Sequence, residues 1–246
     1  MKQLIVLSLI FMALGLRAQQ MEMHSSSPEA IRLMNEALAV MGHDMARFEA
    51  NIAAALEADP DMVAANFFTG INPNRPMEEG RPYVENVLAY TGEMSEGERL
   101  MQEMCTHFDE EDYDFMGGMS RLTELYPQDA RMCLLVGMAY LYSETPMDGF
   151  PYLETAAQRG KLPGAYNLMG YAYLRSGNLP RAKAMFEQYI AAAPKAANPY
   201  DSMGDYYLAV EDYEAAATHF EKAAAMNPEQ PIHAKKAKQA RAMIKE

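Results

Sequence analysis

Residues 165–194, AYNLMGYAYLRSGNLPRAKAMFEQYIAAAP, and residues 199–228, PYDSMGDYYLAVEDYEAAATHFEKAAAMNP, decide the fold. Laid over each other, Tyr166, Met169, Gly170, Tyr173, Ala182, Phe186 and Pro194 fall on Tyr200, Met203, Gly204, Tyr207, Ala216, Phe220 and Pro228, every pair 34 residues apart. Self-similarity at such a period marks a stack of like supersecondary units. Apolar residues recur at i, i+3 and i+4 throughout the chain, and no long run alternates with period two. The chain is therefore read as all-α.

The repeated positions resemble the tetratricopeptide repeat, whose pattern is a bulky residue, then Leu-Gly, Tyr, Ala, Phe and Pro at the same spacings. The resemblance implies an α-solenoid of helix hairpins. The glycine of each first helix, A, lets the second helix, B, come close. The tyrosine and phenylalanine fill the gap between hairpins, the alanine permits a tight crossing, and the proline stops helix B. A lone hairpin buries only part of its apolar surface, so neighbours must stack.

The same ruler extends upstream. Cys133, Val136, Gly137 and Tyr140 open a unit after Pro127, with a second helix from near Pro151 to Gly160. Another runs from Ser95 to Tyr126, with Ser95 and Glu98 as a capping box. Residues 61–94 form a degenerate unit with Gly70 in place and a loop, INPNRPMEEG, inserted between its helices. In the first unit the second helix, ARFEANIAAALEADP, closes at Pro60. Pro60, Pro127, Pro194 and Pro228 are spaced 67, 67 and 34 apart, as two, two and one repeats require. The expected organisation is a signal peptide at 1–18, a flexible tail at 19–27, and a solenoid of about six hairpins at 28–60, 61–94, 95–129, 130–162, 163–196 and 197–230. A capping helix at 231–246 completes it.

The export expectation rests on MKQLIVLSLIFMALGLRAQQ, where Lys2 precedes an apolar run from Leu4 to Leu16 and the small Ala18. That run is too short and wrongly flanked for a spanning helix. No cysteine follows it to carry a lipid anchor, since Cys105 and Cys133 lie far downstream. Removing residues 1–18 takes away Lys2 and Arg17 and no acid, so 21 bases against 34 acids become 19 against 34, a charge of −15. Such a charge repels phosphate and anionic headgroups, which disfavours nucleic acid and an anionic membrane as partners.

Residues 198–207, NPYDSMGDYY, gather two carboxylates, an amide, a hydroxyl and three phenols. Most of this reads as a helix start: Asn198 as N-cap, Pro199 at the first helical position, and Asp201 at the third, facing the positive helix end. Asp205 is left over and shares a face with Asp201. By resemblance to the family, a partner lies in a concave groove lined by the A helices. Those positions are Leu134, Met138, Leu141 and Tyr142 in the fourth unit, and Asn167, Tyr171, Leu174 and Arg175 in the fifth. In the sixth they are Asn198, Asp201, Asp205 and Leu208, with Lys235 and Gln239 on the capping helix. Family members that clamp a terminal carboxylate use Lys, Arg and Asn there. Acids at two positions make a basic or hydroxyl-rich protein segment the better fit, unless Arg175 and Lys235 neutralise them.

Other constellations carry less. His107 beside DEEDYD, residues 109–114, lacks the glycine and distal glutamate of a helix-loop-helix calcium site and reads as a solvated turn. Met21, Met23 and His24 offer soft ligands for copper(I), but so short a tract specifies little, and no metal or other cofactor is expected. The 22 methionines sit mostly at core spacing, as adaptable packing or as a promiscuous groove. Cys105 and Cys133 lie on first helices of successive units and either pair in an oxidising compartment or stay as small buried groups. The scattered His24, His43, His107, His219 and His233, with no nucleophile elbow, zinc motif or phosphate loop, argue against an enzyme. The expectation is an exported binding or scaffolding module, resembling bacterial envelope proteins with these repeats. The alternative is a structural subunit that self-associates into a larger envelope assembly.

Overall fold

The computed structural model describes residues 20–110 and 112–244. The expected signal peptide, residues 1–18, lies outside the described residues. Among those described there are thirteen α-helices and no strand. They are α1 (Pro28–Val40), α2 (Met45–Ala58), α3 (Val63–Gly70), α4 (Met77–Ala89), α5 (Glu96–Thr106), α6 (Phe115–Leu125) and α7 (Ala130–Tyr140). After a 3-10 turn, Pro146–Gly149, come α8 (Phe150–Gly160), α9 (Pro163–Arg175), α10 (Leu179–Ala192), α11 (Asn198–Ala209), α12 (Tyr213–Met226) and α13 (Pro231–Met243). Each helix packs on its sequence neighbours, and α3 on α5, α7 on α9 and α9 on α11 also touch. This is an all-α solenoid of helix hairpins.

Local chemistry explains the punctuation. The B helices α2, α6, α10 and α12 start at Asp44, Asp114, Asn178 and Asp212, whose side chains accept from first-turn amides. The same four helices end two residues before Pro60, Pro127, Pro194 and Pro228. Ser95 and Glu98 form the full capping box on α5. Packing follows the repeated residues: a Cβ on Gly170 would lie 2.5 Å from the Phe186 ring, and one on Gly204 equally close to Phe220. Gly137 meets Leu153 and Gly70 meets Val84 in the same way. The loop expected at 71–80 is shorter, because MEEG, residues 77–80, makes the first turn of α4. Cys105 and Cys133 are both free, buried thiols.

The first hairpin does more than extend the stack. Its turn reaches the start of the fifth unit, where Gly42, with φ of +71°, lies so near α9 that a Cβ on Gly164 would sit 2.1 Å from the Met41 carbonyl oxygen. The Asn167 amide donates to the Gly42 carbonyl at 2.9 Å, and Asn198 donates to the His43 carbonyl at 2.9 Å. Farther back, Arg131 on α7 donates to Asn35 on α1. The hairpin thus lies across the beginnings of α7, α9 and α11.

The segment before α1 continues that seam, and residues 20–27 are not the flexible tail that composition suggested. Met21 and Met23 are 3% and 5% exposed. The Met21 amide donates to Asp129 Oδ2 at 2.9 Å, and the His24 amide donates to Glu98 Oε1 at 2.8 Å. Ser25 and Ser26 bond to Asp59. Two thioethers bury themselves in the core while the neighbouring amides satisfy buried carboxylates, so the segment holds on both counts. The same contacts spend Met21, Met23 and His24, the copper(I) candidates, on packing and on Glu98.

Gly164→Ala forces a methyl group against the Met41 carbonyl. It is expected to cost about 1–3 kcal/mol, the usual range for overpacking, in urea unfolding. An unchanged midpoint would mean that the first turn does not sit on α9.

Candidate interaction groove

At the acidic end the chain answers its own charges. Lys236 Nζ lies 2.6 Å from Asp201 Oδ2 and 2.9 Å from both Asp205 oxygens. His233 Nδ1 is 2.7 Å from Asp201 Oδ1, and the Tyr171 hydroxyl donates to Asp205 at 2.7 Å. Burial opposes the Lys236 charge, yet the two carboxylates outweigh it and hold its pKa above the ordinary lysine range. Burial, reinforced by Asp205, pushes the Tyr171 phenol up.

The acids are neutralised within the chain, by Lys236 rather than by Arg175 or Lys235. Lys235 and Arg175 are exposed and form no ion pair among the described residues. Because α13 begins at Pro231, its inward face carries His233, Ala237 and Ala240, with Lys236 beside them, and turns Lys235 and Gln239 outward. Asn198 is likewise not a cap. It occupies the first helical position after Ala197, and its amide spans the His43 carbonyl and the Tyr189 hydroxyl, each at 2.9 Å. Pro199 and Asp201 accordingly stand one position deeper in the helix than expected. Asn167 is also closed: its oxygen accepts from Ser202 at 2.8 Å. Asn167, Tyr171, Asn198, Asp201 and Asp205 therefore bind the chain to itself.

The Tyr189 phenol accepts from Asn198 at 2.9 Å, donates to the His43 carbonyl at 3.3 Å, and lies 2.6 Å from His43 Nδ1. Burial lowers the His43 pKa below its ordinary value and does the same to His219, which stacks on Tyr207.

An apolar opening lies nearer mid-array. Leu134 is fully buried in the core. Met138 and Tyr142, two of the expected groove positions, line an apolar cleft of about 250 Å³. Its other walls are Met45 and Phe48 of α2, Phe68 at the end of α3, and Phe115, Met116 and Met119 of α6. Tyr142 is 65% exposed and Met45 41%, so the cleft has an open mouth edged by large apolar groups. Reading only A helices missed α2 and α6, although the spacing Phe48, Ile52, Leu56 marks one apolar face of α2. Leu208 and Gln239 meet at a separate hollow by the chain end, with Phe220 and Met243. Leu141 and Leu174 pack half-buried on the core.

The residues around His107 are used locally. His107 bonds Glu110 at 2.8 Å and stacks on Tyr113, Asp109 pairs with Arg81, and Asp114 caps α6. Burial raises the Cys105 thiol to about 12 and also lifts Cys133. These are packing thiols, not nucleophiles.

Residues 163–195 and 202–235 each match a family model of the tetratricopeptide repeat. The two stretches correspond to the hairpin α9–α10 and to most of α11, α12 and the start of α13. The chain therefore carries repeats of a kind that generally serves protein–protein interaction or scaffolding. No curated protein matches it.

Two predictions follow from the internal pairing. Asp201→Ala strands the buried His233 and leaves Lys236 with Asp205 alone, and should cost about 1–3 kcal/mol, whereas Lys235→Ala should change stability by less than about 0.5 kcal/mol. Equal effects in urea unfolding would contradict the pairing. For His43 the folded pKa lies below the unfolded one, so the unfolded chain takes up more protons and stability is lost as pH falls below about 6.5. His43→Gln should lose less stability than wild type between pH 7 and 5.5, and parallel pH profiles would rule that out.

Proposed function

We propose that this chain is a non-enzymatic interaction module or scaffold of the cell envelope, exported after loss of residues 1–18, which seats a segment of a protein partner in the Met138–Tyr142 cleft. The apolar cleft carries the reading: large thioether and aromatic groups stand at an open mouth, whereas the polar positions expected in the groove, Asn167, Tyr171, Asn198, Asp201 and Asp205, are spent on bonds within the chain. Exposed apolar groups gathered at a concavity mark interaction sites. The stacked hairpins hold the walls in place before binding, which lowers the ordering cost of association.

The alternative, a self-associating structural subunit, draws on the chain end, where Ile232, Met243 and Ile244 are each more than two-fifths exposed. A photo-crosslinking residue placed in turn at Tyr142 and at Ile232 separates the two in the native host. Adducts with one foreign protein at Tyr142 and none at Ile232 are expected. Self-adducts at Ile232 with a silent Tyr142 would instead establish the structural role.

A further inference from the structure

The apolar cleft continues past Phe48 and Phe68. These rings, with Glu49, Asn72 and Asn74, also line a second hollow of about 660 Å³ between α2 and α4. The two halves differ in chemistry. The first is walled by thioethers and rings, while the second carries Glu57 of α2 and Glu79 of α4, with Glu49 at the junction. All three glutamates are exposed. Among the described residues, Glu49 and Glu57 form no ion pair, and Glu79 has only a long one, 3.9 Å, to Arg75. Arg75, the cation lining this half, lies over the Tyr83 ring at 5.4 Å.

Granted the cleft as the docking site, we propose that the partner segment is amphipathic and cationic. A bulky apolar side chain seats among Phe115, Met116, Met119 and Met138, and Lys or Arg side chains beyond it lie along Glu49, Glu57 and Glu79. Unpaired carboxylates beside a low-dielectric wall focus a negative potential on the groove, which draws cations and imposes a like-charge cost on an acidic segment. Thioether side chains adapt to anchors of several shapes. The anchor therefore contributes affinity with loose shape selection, and charge supplies discrimination against wrong partners. The surplus of 34 acids over 21 bases speeds approach of the same ligand class.

The test uses a displayed library of random 12-residue peptides, selected on mature wild-type protein and counter-selected on a Tyr142→Asp variant so that only cleft binders survive. Survivors should combine a bulky apolar residue with two or more Lys or Arg. Changing those bases to Glu should weaken binding at least tenfold. The triple variant Glu49→Lys, Glu57→Lys, Glu79→Lys should abolish that preference. Glu124→Lys, Glu154→Lys, Glu187→Lys changes the net charge equally at exposed positions off the groove and should keep most of it. Circular dichroism checks that both triples fold. Neutral or acidic survivors, or equal losses in the two triples, overturn the proposal and leave the cleft standing. If no peptide distinguishes wild type from Tyr142→Asp, the cleft itself is not a docking site and both readings fall.

Discussion

A Cβ on Gly164 would stand 2.1 Å from the Met41 carbonyl oxygen, and the neighbouring Gly42 carbonyl takes the Asn167 amide at 2.9 Å. That approach puts the turn of the first hairpin on the fifth unit, more than a hundred residues away in the chain. A plain solenoid has only nearest-neighbour interfaces, so its stability is roughly a sum over repeats. Here an added interface ties the first unit to the fourth, fifth and sixth, and local opening of any of them must loosen contacts of α1 and α2. The same placement sets α2, packed on α3, across the cleft from α6 and α7.

The seam is polar as well as close. Glu98 is fully buried and takes bonds from the Ser95 amide, the His24 amide and the His24 ring. Asp129, 1% exposed, serves the Met21 amide and the Arg131 guanidinium. Buried charges of this kind are costly unless fully bonded, and once bonded they admit few alternative arrangements. At the other end Asp201 and Asp205 do the same for α13 through Lys236 and His233. One network fastens the segment before α1 to the third and fourth units, the other fastens α13 to α11, and the Met-lined cleft keeps an opening with apolar walls.

The hairpins were legible because their rules are local. The 34-residue period, the glycine facing a phenylalanine, and the proline two residues past four of the B helices all act within one or two units. Ser95 and Glu98 were readable as a cap because they stand three positions apart. The doubled-back first hairpin was not legible. Nothing within Met21–Ser27 says that its amides bond to Asp129 and Glu98, and a run of Ser and Met reads equally well as a tail. Asn198 misled for a related reason: Asn before Pro is a good cap in isolation, but here its amide is drawn to His43 across the seam. Lys235 and Lys236 are adjacent in sequence, and the start of α13 alone decides which faces Asp201. In the groove, Met138 and Tyr142 came from the repeat pattern, whereas the α2 and α6 walls depended on the non-local seam.

The most direct test of this closed architecture is residue-resolved hydrogen exchange of the Met21 and His24 amides. Neither belongs to a helix, so only Asp129 and Glu98 can protect them. Exchange as slow as that of amides in α9 and α11 would establish that the segment before α1 is locked on the array. Exchange at the rate of an unstructured peptide, with α9 and α11 still protected, would contradict the seam and the walled cleft that depends on it.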